Sequence, residues 1–289
     1  MIDELKWFND TVWEGIEASS QRMKELKPIR TRWVLCNKGD ALKPEVRARL
    51  VACEVNTYTD QTGAFYASTP PLEAKRMLFS EFATRRVRDG KPLQLSFLDI
   101  TKAYFNGTPR RNLHVRLPSE LGLPSNIVGS LLRCVYGTRD AGSIWEDTYA
   151  SQLEKMGFVR GKASPCCFYS KDLQVSVAVH GDDFTALGTQ ASLDVYEQQL
   201  QQAFDLKLRG RLSEEAHTEK EIRILNRIVR ISKQGLQYEA DPRHAELVVE
   251  SLGLKDGNPS QGSPATPGIN IREQSWSMPP GKTLCVLPI

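Results

Sequence analysis

The chain has 289 residues and a mass of 32.5 kDa, with 40% hydrophobic and 25% charged residues, a composition typical of a globular protein. Its net charge of +3 and pI of about 8.5 allow nucleic acid as a partner without requiring it. No apolar run reaches the ~18 residues of a membrane span and the first residues lack a signal-peptide core, so the sequence predicts an intracellular protein, cytoplasmic or nuclear, that is neither secreted nor membrane-bound.

The N-terminal part of the chain predicts helices on either side of one hairpin. Apolar residues recur at helical spacing from Leu5 to Ile16, which indicates an amphipathic helix over residues 1–27. The elements expected next are strands over 31–36 and 47–55, joined by Lys38-Gly39-Asp40, and a helix over 72–88 that begins after Pro70-Pro71.

A strand carrying a carboxylate is predicted next, in the segment Leu93-Gln94-Leu95-Ser96-Phe97-Leu98-Asp99-Ile100. Because side chains alternate along a strand, Asp99 shares a face with Leu95 and Phe97. It therefore takes a place in an apolar row where a hydrophobic residue is expected. A carboxylate there is costly unless it is paired or bound to a metal ion, so Asp99 is a candidate functional residue.

The remainder of the chain predicts short strands alternating with helices. The expected elements are a turn at Asn106-Gly107, strands over 113–117 and 131–136, a helix over 141–156, a helix over 192–204 with Ser192 as N-cap, a hairpin of 222–232 with 236–238, and a helix over 242–252. From residue 255 onward polar residues, glycine and proline dominate, which predicts a linker or a disordered tail.

A hairpin with two adjacent aspartates is predicted between the helices over 141–156 and 192–204. The residues from Val175 to Val179 alternate as in a strand, and Gly181 allows a tight turn at Asp182-Asp183 into a return strand. Adjacent carboxylates in turns are most often simply solvated. If this hairpin neighbours the Asp99 strand, however, three carboxylates converge. Such a set prefers Mg²⁺ or Mn²⁺, and two ions about 4 Å apart suit phosphoryl transfer.

Several segments, in this order along the chain, resemble the reverse transcriptase domain of Ty1/copia-type LTR retrotransposons. The matching segments are Ile29-Arg30-Thr31-Arg32-Trp33-Val34 and Arg47-Ala48-Arg49-Leu50-Val51-Ala52 (fingers hairpin), Asp99-Ile100-Thr101-Lys102-Ala103-Tyr104-Phe105-Asn106-Gly107 (first catalytic motif), Tyr136-Gly137-Thr138-Arg139-Asp140-Ala141-Gly142-Ser143-Ile144-Trp145, His180-Gly181-Asp182-Asp183 (where the family has Y-V-D-D) and Ser263-Pro264-Ala265-Thr266-Pro267 (before a ribonuclease H domain).

The resemblance implies an α+β fold of the fingers–palm polymerase type, with an antiparallel palm sheet backed by helices and a reduced thumb-like C-terminal part. The implied domains are the N-terminal amphipathic helix over 1–27, a fingers-like region over 28–92, a palm with the catalytic carboxylates over 93–208, a thumb-like hairpin and helix over 209–254, and the tail over 255–289.

The resemblance also implies catalytic roles at the carboxylates. Asp99 and Asp182 would hold two Mg²⁺ ions (Mn²⁺ as an alternative), with Asp183 close by as the third catalytic and metal-binding carboxylate. His180 and Gly181, which replace the family's Tyr and Val, would lie on the primer side. The implied partners are an RNA or DNA template–primer duplex and deoxynucleoside triphosphates.

Nucleotide contacts are implied at further positions. Tyr104 would pack under the incoming sugar, and Arg47 and Arg49 would contact the triphosphate, although an arginine on a strand edge is as often only solvated. Arg139 and Asp140 stand in the nucleotide-binding block. Because Asp140 replaces the family's Gln and directly precedes a predicted helix, we expect it to act as an N-cap rather than to point into the pocket.

The expected activity is RNA-directed DNA polymerase, a nucleotidyl transfer to a primer 3′-hydroxyl that uses two metal ions. Two alternatives stay open at this point. One is a degenerate, weakly active or inactive reverse transcriptase fold that binds nucleic acid, which Asp140 and the missing ribonuclease H sequence favour. The other is a metal-dependent nuclease, which the lack of a His or Lys general base beside the carboxylates disfavours.

Overall fold

The structure is a computed structural model, and most of the chain up to residue 252 is described in it. The described residues are 5, 8, 11–18, 27–37, 43–54, 67–225, 227–232, 235–240 and 242–252. The predicted tail over 255–289 and the turn at Lys38-Gly39-Asp40 lie outside them. The chain divides into two compact units, Met1–Ile222 with Arg230–Leu236, and Arg223–Val229 with Gln237–Ile289.

The described part of the chain contains strands, α-helices and two short 3-10 helices. The strands are β1 (Trp13–Glu17), β2 (Thr31–Asn37), β3 (Val46–Ala52), β4 (Val87–Arg88), β5 (Lys91–Ile100), β6 (His114–Arg116), β7 (Ile127–Leu131), β8 (Val159–Arg160), β9 (Cys167–Ser170), β10 (Val175–His180), β11 (Asp183–Thr189), β12 (Leu206–Leu212), β13 (Glu221–Ile224), β14 (Arg227–Ser232) and β15 (Gly235–Ala240). The helices are α1 (Leu72–Arg85), α2 (Ala141–Lys155), α3 (Gln190–Ala203) and α4 (Pro242–Ser251), with 3-10 turns at Ala103–Asn106 and Ser119–Leu121.

The main sheet has seven antiparallel strands in the order β12-β5-β11-β10-β9-β8, with β4 paired to β5. Strand β5 lies between β12 and β11, and its residues from Leu93 to Leu98 are buried on both faces. The predicted strand with an apolar row is therefore confirmed as a central strand. Its C-terminal end carries Asp99 to the border of the core, where the side chain is partly exposed.

The two faces of the main sheet are covered by different helices. Leu98 and Ile100 on β5 pack with Trp145 and Tyr149 of α2 and with Tyr196 of α3 in one hydrophobic cluster. Since side chains alternate, the odd-numbered residues of β5 point to the opposite face. Helix α1 packs on β5, β10 and β11. An antiparallel sheet backed by helices is thus present as predicted, in a mixed α and β fold.

Two smaller sheets accompany the main sheet in the first unit. Strands β2 and β3 form the predicted antiparallel hairpin, in which Arg47 pairs with Cys36 and Arg49 pairs with Val34. Strands β1, β7 and β6 form a three-stranded antiparallel sheet. Among the residues described, no helix is long and apolar enough to cross a lipid bilayer.

The predicted N-terminal helix over 1–27 is wrong at Trp13–Glu17, because these residues form β1. Leu5 and Phe8 are helical and buried, as their spacing indicates. The backbone then leaves the helix, and β1 pairs with β7 while Trp13 contacts the Phe8 ring at 4.9 Å between centroids. The pairing partner lies more than a hundred residues away in the chain, so local spacing did not reveal the strand.

Other predicted boundaries also change. The helix predicted over 72–88 ends at Arg85, because Arg86 has a left-handed φ of 51° and β4 follows. The strand predicted over 131–136 lies instead at Ile127–Leu131. Helix α3 begins at Gln190, and its N-cap is Thr189, whose hydroxyl accepts a hydrogen bond from the Ser192 amide.

The predicted domain borders cut through structural elements. The palm–thumb border between 208 and 209 falls inside β12, which pairs with β5 of the main sheet, and the border at 92 and 93 falls inside β5. Helix α1, predicted within the fingers-like region, packs on the main sheet. The strand predicted over 222–232 is interrupted at Leu225, whose φ of 44° separates β13 from β14. These two strands form a three-stranded sheet with β15.

Candidate active site

The aspartate hairpin is held in place from two sides. His180, the last residue of β10, pairs with Asp183, the first residue of β11, so Gly181 and Asp182 form the turn. Gly181 adopts a φ of 64°, which a residue with a side chain rarely takes. The Ile100 amide donates a hydrogen bond to the Asp182 carbonyl at 2.9 Å. This hydrogen bond holds the backbone of the turn against the end of β5.

Trp145 of α2 supports the same turn from the core side. Its indole Nε1 donates a hydrogen bond to the Gly181 carbonyl at 2.8 Å, and its ring is 2% exposed in the cluster with Tyr149 and Phe204. A buried tryptophan usually finds such an acceptor. The predicted Tyr136–Trp145 block therefore reaches the hairpin directly, through the last residue of that block.

Asp99 and Asp183 lie side by side in the main sheet. They are Cα partners in the register of β5 and β11, which confirms the prediction that the two carboxylate-bearing strands are neighbours. One guanidinium nitrogen of Arg209 lies 3.3 Å from Asp99 Oδ2 and 3.4 Å from Asp183 Oδ1. Asp182 lies in the adjoining turn. Its carbonyl accepts the hydrogen bond from the Ile100 amide, and its charge raises the pKa of Asp183.

The electrostatics of the pair reflect its position at the edge of the core. Burial raises the pKa of the Asp183 carboxyl above its ordinary value, and the nearby charge of Asp182 adds to this, while Arg209 and Lys75 oppose it. Lys75 of α1 is only 3% exposed, and burial lowers the pKa of its ammonium group. Within the described residues its Nζ has no hydrogen-bond partner. Two cationic side chains therefore offset the carboxylate charge.

The donor chemistry of this site suits a divalent cation. Carboxylate oxygens are the ligands that Mg²⁺ and Mn²⁺ prefer, and Asp99 and Asp183 already share one cationic group, the Arg209 guanidinium. In the part of the chain that the structure describes, however, no three His, Cys, Asp or Glu side chains are grouped as metal ligands. The two carboxylates thus offer the oxygen ligands and the negative charge that a metal ion needs. The Arg209 guanidinium lies where such an ion would bind.

Tyr104 lies close to the hairpin. It belongs to the 3-10 turn after β5, and its ring meets the Tyr136 ring edge to face, with centroids 5.1 Å apart. Burial raises the pKa of the Tyr104 hydroxyl, and the negative charge of Asp182 raises it further. The role of Tyr104 under an incoming sugar stays a prediction.

Tyr136 connects the β2–β3 hairpin to the carboxylates. The Arg49 guanidinium lies 5.3 Å from the centre of the Tyr136 ring, a cation–π contact. Burial raises the pKa of the Tyr136 hydroxyl, Arg49 and Arg47 lower it, and Asp182 raises it, so all of these charges act at one place. Arg49 is thus brought to the Tyr136 ring, while contacts of Arg47 and Arg49 with a nucleotide stay predictions.

A glycine allows this connection. The Ala52 amide of β3 donates a hydrogen bond to the Tyr136 carbonyl at 2.8 Å. The next residue, Gly137, has a φ of 86°, and a Cβ atom there would lie 1.9 Å from the Ala52 carbonyl oxygen. Only glycine permits both this backbone conformation and this close approach of β3.

Asp140 does not act as the predicted N-cap. It precedes α2 with φ −96° and ψ −5°, a helical conformation, and its side chain caps no amide of the described first turn. Both of its carboxylate oxygens instead accept hydrogen bonds from Arg111, at 3.0 and 3.1 Å, and Arg111 also binds Glu54 at 2.8 and 3.2 Å. The Arg139 amide donates to Glu54 at 2.8 Å. The Asp140 carboxylate therefore belongs to an ion-pair network with Arg111 and Glu54. A contact of Asp140 with a nucleotide stays a prediction.

His180 faces the same surroundings from the last position of β10. Burial lowers the pKa of its imidazole, and the charge of Lys75 lowers it further, while Asp182 opposes this. Burial and the charge of Lys75 thus disfavour protonation of this imidazole. Sequence reasoning did not find Lys75, Arg209 or Arg111, because an arginine or lysine in a charged segment carries no signal of the partner that it meets in the fold.

Paired aspartates beside a turn are carboxylate ligands of the kind that two-metal phosphoryl-transfer sites use. In agreement, residues 12–240 match the family described as "Reverse transcriptase (RNA-dependent DNA polymerase)". The match covers more than half of the chain, and the chain therefore belongs to this family. The resemblance to the copia-type reverse transcriptase domain is confirmed.

A comparison with solved structures gives a more distant likeness. The chain is similar to the telomerase from Candida albicans in complex with a TWJ fragment of telomeric RNA, with 9% sequence identity and a TM-score of 0.42. The matched part covers 83% of this chain and 50% of that chain. This chain thus spans about half the length of that protein.

Proposed function

We propose that this chain is the RNA-directed DNA polymerase of a copia-type retroelement, which adds deoxynucleotides to a primer 3′-hydroxyl on an RNA or DNA template. The observation that carries the proposal is the register of β5 and β11. It makes Asp99 and Asp183 neighbours at the same end of the sheet, beside the turn that carries Asp182. Family membership supports the reaction class.

The three aspartates would act as the catalytic carboxylates, with two Mg²⁺ ions, or Mn²⁺, as the cofactors. When bound there, the divalent cations would supply positive charge that acidifies the primer hydroxyl and neutralises the departing pyrophosphate. The contribution of the chain is to hold negative oxygens at a fixed separation. The hydrogen bonds of the Ile100 amide and the Trp145 indole to the turn support this positioning.

The nucleotide would lie between the β2–β3 hairpin and the aspartate hairpin. Arg47 and Arg49 would bind its triphosphate, since guanidinium groups donate to phosphate oxygens in a fixed geometry, and their joint action on Tyr136 supports their position at the site. Tyr104 would pack under the sugar and disfavour a ribose 2′-hydroxyl. The neighbourhood of Tyr104 and Asp182 supports that role.

His180 and Gly181 would face the primer end. His180 ends the strand next to the turn, and burial lowers the pKa of its imidazole. Arg139 stays proposed as a nucleotide contact. For Asp140, the pairing of both its oxygens with Arg111 means that its negative charge is compensated before any triphosphate arrives. The repulsion that a carboxylate in this block suggests is therefore reduced.

The test is primer extension on a labelled DNA primer annealed to a heteropolymeric RNA template, with deoxynucleotides and Mg²⁺. Wild type should extend the primer, and Asp99→Asn and Asp183→Asn should each reduce the rate by at least about a hundredfold, because charge stabilisation at the reacting centre is lost. The matched control is Asp172→Asn, which removes the same charge from an exposed turn between β9 and β10. It should extend the primer at the wild-type rate.

A binding function without catalysis is the second candidate, and two observations favour it. Arg209 and Lys75 already compensate the carboxylates, and the described residues show no three-ligand metal group. This candidate predicts that the protein retains a template–primer duplex in a gel-shift assay but never extends the primer, even with Mn²⁺. Extension by wild type that Asp99→Asn abolishes would exclude it. Shortening of the labelled strand without nucleotides would instead indicate a nuclease.

A further inference from the structure

Arg209 stands at an irregular point of the main sheet. The register of β12 with β5 shifts between Leu208, which pairs with Leu98, and Gly210, which pairs with Phe97. Arg209 is the extra residue of this bulge, and Gly210 beside it has a φ of 150°. A β-bulge changes the direction of a side chain relative to a regular strand. Here it turns an arginine toward the end of β5, where Asp99 lies.

The contacts of Arg209 differ from those of a tightly held arginine. A single nitrogen, Nη2, meets both Asp99 and Asp183, at 3.3 and 3.4 Å, and the side chain is 36% exposed. Arg111, by contrast, makes paired contacts of 2.8 to 3.2 Å with two carboxylates. Long contacts through one nitrogen are weaker than paired, short ones. Arg209 is therefore held in a way that allows its release.

We propose that Arg209 is a built-in counter-ion of the Asp99–Asp183 pair, which a divalent cation must displace in order to bind. The inference rests on the proposed function only in taking these two aspartates as the metal ligands. Without a metal ion, Arg209 neutralises carboxylates that would otherwise repel each other. With a metal ion, the guanidinium has to leave the position between them, so Arg209 sets the metal concentration at which the site fills.

The surroundings support competition rather than cooperation. Lys75 adds a second positive charge near Asp183 from helix α1, and it is buried and cannot leave easily. Arg209 is the more exposed of the two cations and sits between both carboxylate oxygens. Positive side chains near a metal site oppose the binding of a cation. Removal of Arg209 should therefore relieve a larger and more direct repulsion than removal of Lys75. Lys75 would continue to act in the variant as in wild type.

The test measures Mn²⁺ binding to the full chain by calorimetry and by electron paramagnetic resonance, without nucleic acid or nucleotide. Arg209→Met should bind Mn²⁺ at least about tenfold more tightly than wild type, because a full positive charge is removed from the site. Its Tm without metal should be lower than that of wild type, and its Tm should rise more on addition of Mn²⁺. Arg209→Met combined with Asp183→Asn should lose the gain in Mn²⁺ affinity.

The matched control is Arg230→Met, which removes an arginine from an exposed ion pair with Glu221 and should leave Mn²⁺ affinity unchanged. Equal or weaker Mn²⁺ binding by Arg209→Met would overturn the inference, as would the absence of binding by both proteins. If Arg209→Met folds only with Mn²⁺ present, the competition is supported; if Mn²⁺ does not restore folding, it is overturned. Tighter Mn²⁺ binding without primer extension would support Arg209 as counter-ion while the proposed polymerase function fails.

Discussion

Arg111 joins two carboxylates that lie far apart in the sequence, and its loss should destabilise the fold more than the loss of either partner. Its guanidinium binds Asp140 with two hydrogen bonds and Glu54 with two more, and these hydrogen bonds raise the pKa of Arg111. The side chains of Asp140 and Glu54 are 7% and 12% exposed, and that of Arg111 is 33% exposed. Arg111→Met leaves both carboxylates buried without their cation.

The magnitude follows from burial. Removal of one partner from a buried ion pair costs about 3–5 kcal/mol, because an uncompensated charge remains. Since a third of Arg111 is exposed and water can screen part of this, we expect the lower end, about 3 kcal/mol. Asp140→Asn should cost only about 1–2 kcal/mol, because Arg111 keeps Glu54 and the asparagine carbonyl still accepts one hydrogen bond. The order of these two costs is the prediction.

The assay is urea denaturation at 25 °C and pH 7, with the free energy of unfolding taken by linear extrapolation. The double variant Arg111→Met with Asp140→Asn should cost less than the sum of the single changes, by about 1 kcal/mol or more, because one stranded charge is removed. Arg110→Met is the matched control. It loses an ion pair with Asp147 in which both side chains are more than half exposed, and it should cost less than about 1 kcal/mol.

Two outcomes would refute this reasoning. If Arg111→Met costs no more than Arg110→Met, the network does not hold the buried carboxylates as described. If Asp140→Asn is neutral while Asp140→Ala costs about 1 kcal/mol, Asp140 acts as a helix cap after all, because asparagine caps a helix as well as aspartate does. The second outcome would restore the role expected from its position before α2.

Three further predictions follow from the site and its supports. Gly137→Ala should lower the free energy of unfolding by about 3 kcal/mol or more, because its Cβ would lie 1.9 Å from a backbone oxygen of β3 at a positive φ. Trp145→Phe should cost about 2 kcal/mol and slow primer extension at least tenfold, because the hydrogen bond to the Gly181 carbonyl is lost. Iodoacetamide should label Cys167 at pH 6.5 nearly as fast as at pH 8, because a hydrogen bond with the Cys166 thiol lowers the pKa of the Cys167 thiol.

The predictions for Gly137 and Cys167 each have a control within the chain. Gly157→Ala has a similar φ of 84° but nothing within 4 Å of the added Cβ, so it should cost only about 1 kcal/mol of backbone strain. Equal costs at Gly137 and Gly157 would show that the contact with β3 is unimportant. Cys134 is buried and burial raises the pKa of its thiol to about 12, so it should stay unlabelled until urea unfolds the protein. A tenfold fall of Cys167 labelling between pH 8 and 6.5 would contradict its lowered pKa.

Local patterns in the sequence were sufficient for the elements that carry the carboxylates. Alternation of apolar residues identified β5 and β10, and Gly181 identified the turn, because strand periodicity and a positive φ are properties of a few adjacent residues. Family membership, indicated by the motifs at Asp99 and Asp182, also lay in the sequence. These features do not depend on which distant segment each strand meets.

The partners of the charged residues were decided by the tertiary structure alone. Asp140 stands before a helix, as a cap would, yet Arg111, 29 residues away, binds both its oxygens. Arg209 reaches Asp99 because a bulge in β12 turns it toward β5, and Trp13 lies in a strand because β7 pairs with it. A charge or a strand edge is stabilised by whatever lies beside it in space. The spacing of residues along the chain indicates helical and strand periods. Long-range pairing determines which residues lie beside Asp140, Arg209 and Trp13.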